Sequence, residues 1–331
     1  MIRFGLLGCG RIGRVHALSL SRLAGARLVA VSDAVPAAAR SLADAYGAEV
    51  RDTDAILTAG DIDAVIIGTP TTFHYDQIHA AAAAGKAIFC EKPIDLSTDR
   101  VRECIAAVSA AGVPFLTAFN RRFDPNFAEL ERRLRAGAIG KVELVVLTSR
   151  DPAPPPVSYI EASGGLFRDM MIHDFDMARF LLGEEPVEVF ATGSCLVDPA
   201  IGAAGDVDTA AVTLRTASGA LCQITNSRRA RYGYDQRIEV HGAEGMLSAA
   251  NILENTVEQA GPDGFTRAPN THFFLERYEA AYFAEISHFV DALNEGRAPS
   301  PSATDGLRAQ MLADAAARSM GEGRPVPLGD H

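Results

Sequence analysis

A chain of 331 residues, 48% of them hydrophobic and 22% charged, is long enough to form two domains with separate cores. This composition excludes a disordered chain, which has fewer apolar residues and a larger net charge for its length. The net charge of −11 argues against nucleic acid or an anionic membrane surface as the main partner.

The first third of the chain alternates short apolar runs with helical patterns. The predicted strands are Arg3–Leu7, Arg27–Ser32, Ala64–Gly68, Ala87–Cys90 and Pro114–Ala118, and the predicted helices are Arg14–Leu23, Pro36–Tyr46, Tyr75–Ala84 and Asp99–Ala111. Strands that alternate with helices of about ten residues pair in parallel through helical crossovers. The pattern predicts an α/β domain with the doubly wound parallel sheet of the Rossmann fold.

After Asn120, predicted strands follow one another without helices between them. The strands are Val142–Thr148, Val187–Thr192, Thr209–Arg215, Leu221–Ser227, Gln236–His241 and Met246–Ala249, and the helices are Pro125–Ala136, Leu166–Leu182, Phe274–Asn294 and Thr304–Met320. This order predicts a large, mostly antiparallel open sheet. We therefore expect two domains, 1–120 and 121–331, the second of α+β type.

The loop after the first predicted strand has the spacing G-x-G-x-x-G, with Gly8, Gly10 and Gly13 around Arg11 and Ile12. Alone, this spacing also fits an ordinary tight turn. Here it follows a predicted strand and opens a predicted helix, which is the context of a dinucleotide site. The first glycine permits the turn, the second lets a pyrophosphate approach the backbone, and the third lets helix and strand pack closely. The N-terminus of the helix offers N–H donors to phosphates.

Asp33 stands 20 residues after Gly13, at the end of the second predicted strand. A carboxylate at this place accepts hydrogen bonds from the ribose hydroxyls of the adenosine half of NAD. It would repel the 2′-phosphate of NADP, and no arginine follows it directly. The sequence therefore predicts NAD as the cofactor, and a turn aspartate is the alternative for Asp33.

Two further groups are candidates for catalysis. Lys92 follows a predicted strand at its carboxyl end, where ligands of open α/β sheets bind, although a solvated lysine is the alternative. Asp169 and His173 are spaced i, i+4 on a predicted helix, which suits a carboxylate that orients a basic imidazole; a structural histidine is the alternative. A metal site at His173 with Asp174 and Asp176 is disfavoured because Asp174 points off the face of His173, so no metal is predicted.

The chain start has no charged segment followed by a long apolar run, and no apolar run is long enough to cross a bilayer. The five cysteines are scattered and include no C-x-x-C pair, so free thiols are expected. These features predict a cytoplasmic protein without a membrane segment.

Five motifs together resemble the Gfo/Idh/MocA oxidoreductase family over nearly the whole chain. They are Gly8–Gly13, Gly68–Pro70 with His74, Cys90–Pro93, Phe119–Asp124 and Ile172–Asp174. The combination of Glu-Lys-Pro after a strand with a later Asp-x-x-x-His is specific to the family. Within it, the chain most resembles the inositol 2-dehydrogenases, at Ser149–Pro152, Tyr159, Gly164–Phe167, His173–Asp176 and Tyr232–Asp235.

The resemblance implies a role for each matching residue. Lys92, Asp169 and His173 match the catalytic lysine and the Asp–His pair, which also contact substrate. Thr69, Pro70, His74 and Glu91, with Lys92, match contacts of the nicotinamide half of the cofactor, and Asn120, Arg121, Asp151 and Tyr234 match positions that line the polyol pocket. Asp151 stands where some relatives carry Asn, and the choice between Tyr232 and Tyr234 as the substrate contact stays open.

The implied reaction is NAD-dependent oxidation of a cyclic polyol, with myo-inositol oxidised to 2-keto-myo-inositol (scyllo-inosose). A dehydrogenase of the same fold for scyllo-inositol, an aldose or a sugar nucleotide is one alternative. A non-catalytic NAD-binding regulator is another, although the presence of Lys92, Asp169 and His173 speaks against it. The resemblance also implies a homo-oligomer, a dimer or tetramer paired through the later sheet; the alternative is that the protein's own helices cover that sheet.

Overall fold

The computed structural model describes residues 1–329 and forms two compact units. The first unit contains residues 1–123 and 280–310, and the second contains residues 124–279 and the chain from residue 311 onward. The first unit thus ends at residue 123 and also includes residues 280–310. The expected domains, 1–120 and 121–331, stay a prediction.

The first unit is built on a parallel sheet. Its strands are β1 (Ile2–Leu7), β2 (Ala26–Ser32), β3 (Glu49–Val50), β4 (Ala64–Ile67), β5 (Ala87–Cys90) and β6 (Phe115–Thr117), and its helices are α1 (Arg11–Ser21), α2 (Pro36–Tyr46), α3 (Thr53–Thr58), α4 (His74–Ala83) and α5 (Thr98–Ala111). The strand order is β3-β2-β1-β4-β5-β6, with every pair parallel. The predicted Rossmann sheet is confirmed, and its order changes direction between β1 and β4, where such folds bind ligands.

The core of the first unit lies between its sheet and helices. Phe4 of β1 and Phe89 of β5 are fully buried, and their rings pack against Phe289 at centroid distances of 6.2 and 5.7 Å. Phe289 belongs to a late helix of the chain, so this segment covers apolar sheet surface far from it in sequence. Burial of such large apolar side chains is the main favourable contribution to folding.

The second unit is built on a mixed sheet. Its strands are β7 (Val142–Arg150), β8 (Pro186–Ser194), β9 (Thr209–Thr216), β10 (Leu221–Ser227), β11 (Asp235–Gly242), β12 (Gly245–Ala249), the hairpin β13 (Glu258–Gly261) and β14 (Gly264–Arg267), and β15 (Val326–Pro327). Its helices are α6 (Pro125–Arg135), α7 (Val157–Ser163), α8 (Gly165–Asp169), α9 (Ile172–Leu182), α10 (Pro199–Ala203) and α11 (Phe274–Arg277). Two further helices, α12 (Glu279–Glu295) and α13 (Ala303–Glu322), have residues in both units.

The main sheet of the second unit has seven strands in the order β12-β11-β7-β10-β9-β8-β15. The β7–β10 pair is parallel, and the other pairs in this sheet are antiparallel. The predicted mostly antiparallel open sheet is therefore confirmed. Within the described residues, no helix is both long and apolar enough to cross a membrane.

Two predicted helices are wrong as continuous elements. The predicted helix Phe274–Asn294 is divided at Tyr278 into α11 and α12, and the predicted helix Leu166–Leu182 is divided as well. The chain between 166 and 182 forms α8 and α9, interrupted at Met170 and Met171. The N–H of Met171 donates to the carbonyl oxygen of Leu166, one residue farther back than in an α-helix. Asp169 and His173 therefore lie on opposite sides of this interruption and do not have the i, i+4 relation of one regular helix.

Candidate active site

The carboxyl ends of the parallel strands in the first unit carry most of the predicted cofactor residues. Gly8 follows β1, Asp33 follows β2, Gly68 and Thr69 follow β4, and Glu91 follows β5. Since parallel strands all point the same way, these residues lie along one edge of the sheet, the edge at which doubly wound folds bind ligands.

The glycine loop is shaped by close backbone contacts. Gly8 has φ +95°, and a Cβ there would lie 2.5 Å from the carbonyl oxygen of Gly68. A Cβ on Gly13 would collide with the carbonyl oxygen of Gly8. A Cβ on Gly10, by contrast, would have no other heavy atom within 4 Å, and Gly10 immediately precedes α1. Gly8 and Gly13 are thus required by the tight turn. Gly10 leaves room beside the N–H groups of the helix N-terminus, as a pyrophosphate site requires.

Asp33 connects the ends of the first two strands. Its Oδ2 accepts a hydrogen bond from the backbone N–H of Cys9 at 2.6 Å, and its Oδ1 accepts one from the N–H of Val35 at 2.7 Å. The carboxylate is therefore held beside the glycine loop, where ribose hydroxyls are expected.

His74 is a buried bridge between two loops at the same edge. It is 1% exposed, with Nε2 2.8 Å from the carbonyl oxygen of Thr69 and Nδ1 2.9 Å from that of Pro93. Its ring nitrogens thus face the protein backbone. The predicted contact of His74 with the cofactor stays a prediction, and the geometry supports a role in holding together the loops that carry Thr69 and Lys92.

Burial lowers the pKa of His74, and the hydrogen bonds with Thr69 and Pro93 oppose this only in part. An unfolded histidine has a pKa of about 6.5. As the pH falls below that value toward the lower folded pKa, the unfolded state binds a proton that the folded state lacks, so stability decreases. We expect His74→Gln, which cannot titrate, to weaken this pH dependence.

The measurement is urea unfolding of both proteins between about pH 7 and pH 5. Burial also lowers the pKa of His288, which is present in both proteins, so the slope should decrease without vanishing. If the free energy of unfolding depends on pH equally in the two proteins, the lowered pKa of His74 is contradicted.

Lys92 and two predicted substrate residues complete the first unit's part of the site. Lys92 follows Glu91 after β5 and is partly exposed. Asn120 and Arg121 lie in a short 3₁₀ turn after β6 and are 3% and 5% exposed. The Nδ2 of Asn120 is buried and has no hydrogen-bond partner within the described part of the chain. A buried donor of this kind is costly unless a ligand satisfies it.

In the second unit, Asp169 is surrounded by polar partners that the sequence did not predict. Tyr159 donates a hydrogen bond to Asp169 Oδ1 at 3.0 Å, and Arg228 Nη1 lies 3.7 Å from Oδ2. Arg228 is 1% exposed and lies 3.8 Å from Asp206, whose carboxylate accepts hydrogen bonds from the N–H of Leu166 at the start of α8. Arg228 therefore stands between carboxylates tied to the two ends of α8.

His173 lies at the start of α9, beside a row of buried polar side chains. Its neighbour Asp174 is 2% exposed and accepts hydrogen bonds from Ser149 at 2.5 Å and from Asn226 at 3.0 Å. Ser149 is the register partner of both Asn226 and Gln236, so the row crosses β10, β7 and β11. The carboxylate of Asp174 is thus engaged with the sheet, and this contact fixes the helix that carries His173.

The remaining predicted substrate residues lie elsewhere in the second unit. Asp151 follows β7, and its N–H donates to the carbonyl oxygen of Ser227 at the end of β10. Tyr234 is 5% exposed and packs edge-on against Phe273 and Tyr278. Tyr232 is 52% exposed, so the two tyrosines differ sharply in accessibility.

The hydroxyl of Tyr232 donates to Asp235 at 2.6 Å. Asp235 is fully buried, which by itself would raise the pKa of its carboxyl. Hydrogen bonds from Arg237, Tyr232 and Asn251 outweigh burial and lower the pKa. Tyr232 is therefore anchored to a charged carboxylate at this end of β11.

Lys92, Asn120 and Arg121 belong to the first unit, and Asp151, Asp169, His173 and Tyr234 belong to the second. Their convergence on one substrate stays a prediction. The contacts of Arg228 and Asp206 could not be predicted from the sequence, because charged residues near strand ends are usually solvated. The row of Ser149, Asn226 and Gln236 could have been predicted from the sequence, since each is a polar residue at an inward-facing position of an alternating strand.

Comparison with known proteins identifies the family of both parts of the chain. Residues 2–119 match an oxidoreductase family with an NAD-binding Rossmann fold, and residues 127–248 match the GFO/IDH/MocA C-terminal domain. The inositol 2-dehydrogenase of Rhizobium meliloti strain 1021 is 58% identical over 327 residues, which cover 99% of each chain.

Solved structures agree over the whole chain. A crystal structure from Sinorhizobium meliloti 1021 is 57% identical with a TM-score of 0.98, covering 99% of this chain and 100% of that one. The scyllo-inositol dehydrogenase of Lactobacillus casei, solved with NAD(H) and scyllo-inositol, is 32% identical with a TM-score of 0.92 and covers 99% of both chains. The resemblance and the NAD-binding domain predicted from the sequence are confirmed, and this chain belongs to the Gfo/Idh/MocA family of oxidoreductases.

Proposed function

We propose that this enzyme oxidises one ring hydroxyl of myo-inositol to give 2-keto-myo-inositol, with NAD as its cofactor. The observation that carries the proposal is 58% identity, across 99% of both chains, to a protein named inositol 2-dehydrogenase. The family alone sets the fold and the cofactor; identity at this level over nearly the whole chain supports the substrate as well.

The first unit fits NAD. The open space at Gly10, the N-terminus of α1 and the carboxylate of Asp33 lie at one edge of the sheet, and Thr69 and Glu91 follow neighbouring strands. These groups offer N–H donors to a pyrophosphate and acceptors to ribose hydroxyls. NAD, when bound, supplies the acceptor for the hydride that leaves the oxidised carbon.

In the proposed mechanism, His173 takes the proton of the reacting hydroxyl, and Asp169 stabilises the resulting imidazolium. Lys92 hydrogen-bonds the same oxygen and stabilises the negative charge that develops on it. Arg228, 3.7 Å from Asp169, acts as a positioning residue that holds this carboxylate in place. These groups are expected to meet around one hydroxyl of the bound polyol.

Substrate recognition would use groups of both units. In the first, the buried Nδ2 of Asn120 is a donor suited to a polyol hydroxyl, with Arg121 as its neighbour in the same turn. In the second, Asp151 and Tyr234 are the predicted contacts. An arrangement that hydrogen-bonds a hydroxyl rejects analogues lacking it, because its buried polar groups are then left unsatisfied.

The test of the proposed function is NADH formation with a panel of polyols, run in parallel with NAD and NADP. We expect the highest kcat/KM for myo-inositol with NAD. A higher value for scyllo-inositol would support the alternative raised by the Lactobacillus casei enzyme, and no turnover of any polyol would leave the non-catalytic regulator as the better account.

Asp33 tests the cofactor assignment. We expect Asp33→Ala to weaken NAD binding by about tenfold to hundredfold, because a hydrogen-bonded charged group contributes about 1.5–3 kcal/mol. The preference for NAD over NADP should decrease at the same time. Titration of both cofactors measures this, with Asp44→Ala, an exposed change on α2, as the matched control. Tighter binding of NADP by the unaltered enzyme would contradict the assignment.

We further propose that the enzyme is a cytoplasmic homo-oligomer. Its five cysteines are free thiols, which suits a reducing compartment. The outward face of the second unit's sheet carries Leu221, Phe190 and Met246, which are 39%, 41% and 48% exposed, and Leu144 is the register partner of Leu221. Such a face favours pairing with a second copy as a dimer or tetramer. A monomer in light scattering at micromolar concentration would refute the oligomer.

A further inference from the structure

His16 is a buried titratable side chain that the proposed mechanism does not use. It lies on α1, three residues after Gly13, and is fully buried. Its Nε2 lies 2.8 Å from Oε1 of Glu91, and the side chain of Glu91 is 13% exposed. Glu91 is the residue directly before Lys92. A hydrogen bond to a carboxylate in such a dry environment is stronger than one at the surface.

The geometry around the His16 ring fixes the direction of this hydrogen bond. Nδ1 is buried with no hydrogen-bond partner among residues 1–329. The ring packs edge-on against Phe89 at 4.9 Å and Tyr282 at 6.1 Å, which are apolar surroundings. Since a carboxylate only accepts, Nε2 carries the proton of this hydrogen bond and donates it to Glu91.

The carboxylate of Glu91 also contacts the backbone of Lys92. Its second oxygen, Oε2, accepts a hydrogen bond from the Lys92 N–H at 3.2 Å, and the Glu91 N–H donates to Ile67 of β4 at 2.9 Å. On the other side of Lys92, the carbonyl oxygen of Pro93 lies 2.9 Å from His74 Nδ1. The backbone is thus held before, at and after Lys92.

We propose that His16 is a positioning residue that acts through the Glu91 carboxylate to hold Lys92 in its reactive place. The contact joins α1, whose N-terminus would hold the cofactor pyrophosphate, to the loop that carries the proposed catalytic ammonium. This inference rests on the proposed function of Lys92. A displacement of a catalytic group by about 1 Å can cost about a hundredfold in rate, so a contact of this kind affects turnover without touching substrate.

The decisive variants separate the hydrogen bond from packing. His16→Leu keeps an apolar side chain but removes the donor, and His16→Gln places an amide N–H within similar reach of Glu91. We expect His16→Leu to lower kcat about tenfold to hundredfold while the Kd for NAD changes less than about threefold, and His16→Gln to recover most of the loss. Leu20→Val, a buried change one turn along α1, is the control for lost stability and should leave kcat unchanged.

A double-mutant cycle tests whether His16 acts through Glu91. In a Glu91→Ala background, His16→Leu should lower kcat no further, because the group it orients is gone. Equal losses in both backgrounds would overturn the proposal, and so would a loss in His16→Leu that merely follows its thermal stability, as in Leu20→Val.

A second readout needs neither cofactor nor turnover. Hydrogen exchange of cofactor-free protein reports the Lys92 N–H, which is bonded to Glu91. We expect faster exchange at the N–H groups of residues 91 and 92 in His16→Leu but not in His16→Gln or Leu20→Val, and unchanged exchange in His16→Leu would overturn the proposal. If the unaltered enzyme oxidises no polyol, the proposed function fails, but exchange still decides whether His16 orders this loop.

Discussion

Replacement of Lys92 by alanine is expected to lower kcat for myo-inositol about 100- to 10,000-fold. The side chain follows β5 at the ligand-binding edge of the parallel sheet, and its loop is held by Glu91 and His74. Loss of an ammonium that stabilises developing negative charge on the reacting oxygen removes an interaction made mainly in the transition state. The Kd for NAD should stay close to that of the unaltered enzyme.

Lys141 provides the matched control, since it is exposed and is one of only three lysines in the chain. Lys141→Ala should keep full turnover. Lys92→Arg keeps the charge but changes its shape and reach, so we expect partial activity. Full turnover by Lys92→Ala, with folding verified by thermal unfolding, would remove the lysine from the mechanism.

Replacement of His173 by alanine is expected to have a loss of similar size, about 100- to 10,000-fold in kcat, because it removes the proposed general base. α9, which carries the residue, is fixed to the sheet through the buried contacts of Asp174 with Ser149 and Asn226. These contacts remain in the variant, so its fold should persist. Steady-state NADH formation measures the effect.

His241 is a suitable control for this variant. It lies on β11, is half-exposed and contacts Glu239 at 2.7 Å, so His241→Ala should leave kcat unchanged. In His173→Ala, small amines or imidazole added to the solution should restore part of the lost turnover if the missing group is a base. A variant with normal turnover would show that another group takes the proton.

Most of the fold followed from periodicity and connection order. The predicted five parallel strands of the first unit all formed, because each is an apolar run bounded by glycine, proline or a helical pattern. β3 was missed since Glu49–Val50 is too short and too exposed to show any periodicity. The break at Met170 and Met171 was missed since neither residue is a helix breaker, and the wide turn there is a tertiary feature.

The cofactor half of the site was more predictable than the rest. Glycine spacing and Asp33 have local geometric causes, which one sequence segment displays. The partners of Asp169 and Glu91 come from distant segments: Arg228 is 59 residues beyond Asp169, and His16 is 75 residues before Glu91. Only the folded chain brings such groups together, so no local sequence pattern predicted these contacts.

The most direct test of the account is a crystal structure of this enzyme with NADH and myo-inositol bound together. We expect Lys92 Nζ and a ring nitrogen of His173 to lie within about 2.6–3.2 Å of the same inositol oxygen, with its carbon facing the nicotinamide ring. A complex in which these two side chains reach different oxygens, or in which either lies away from the inositol ring, would contradict the mechanism.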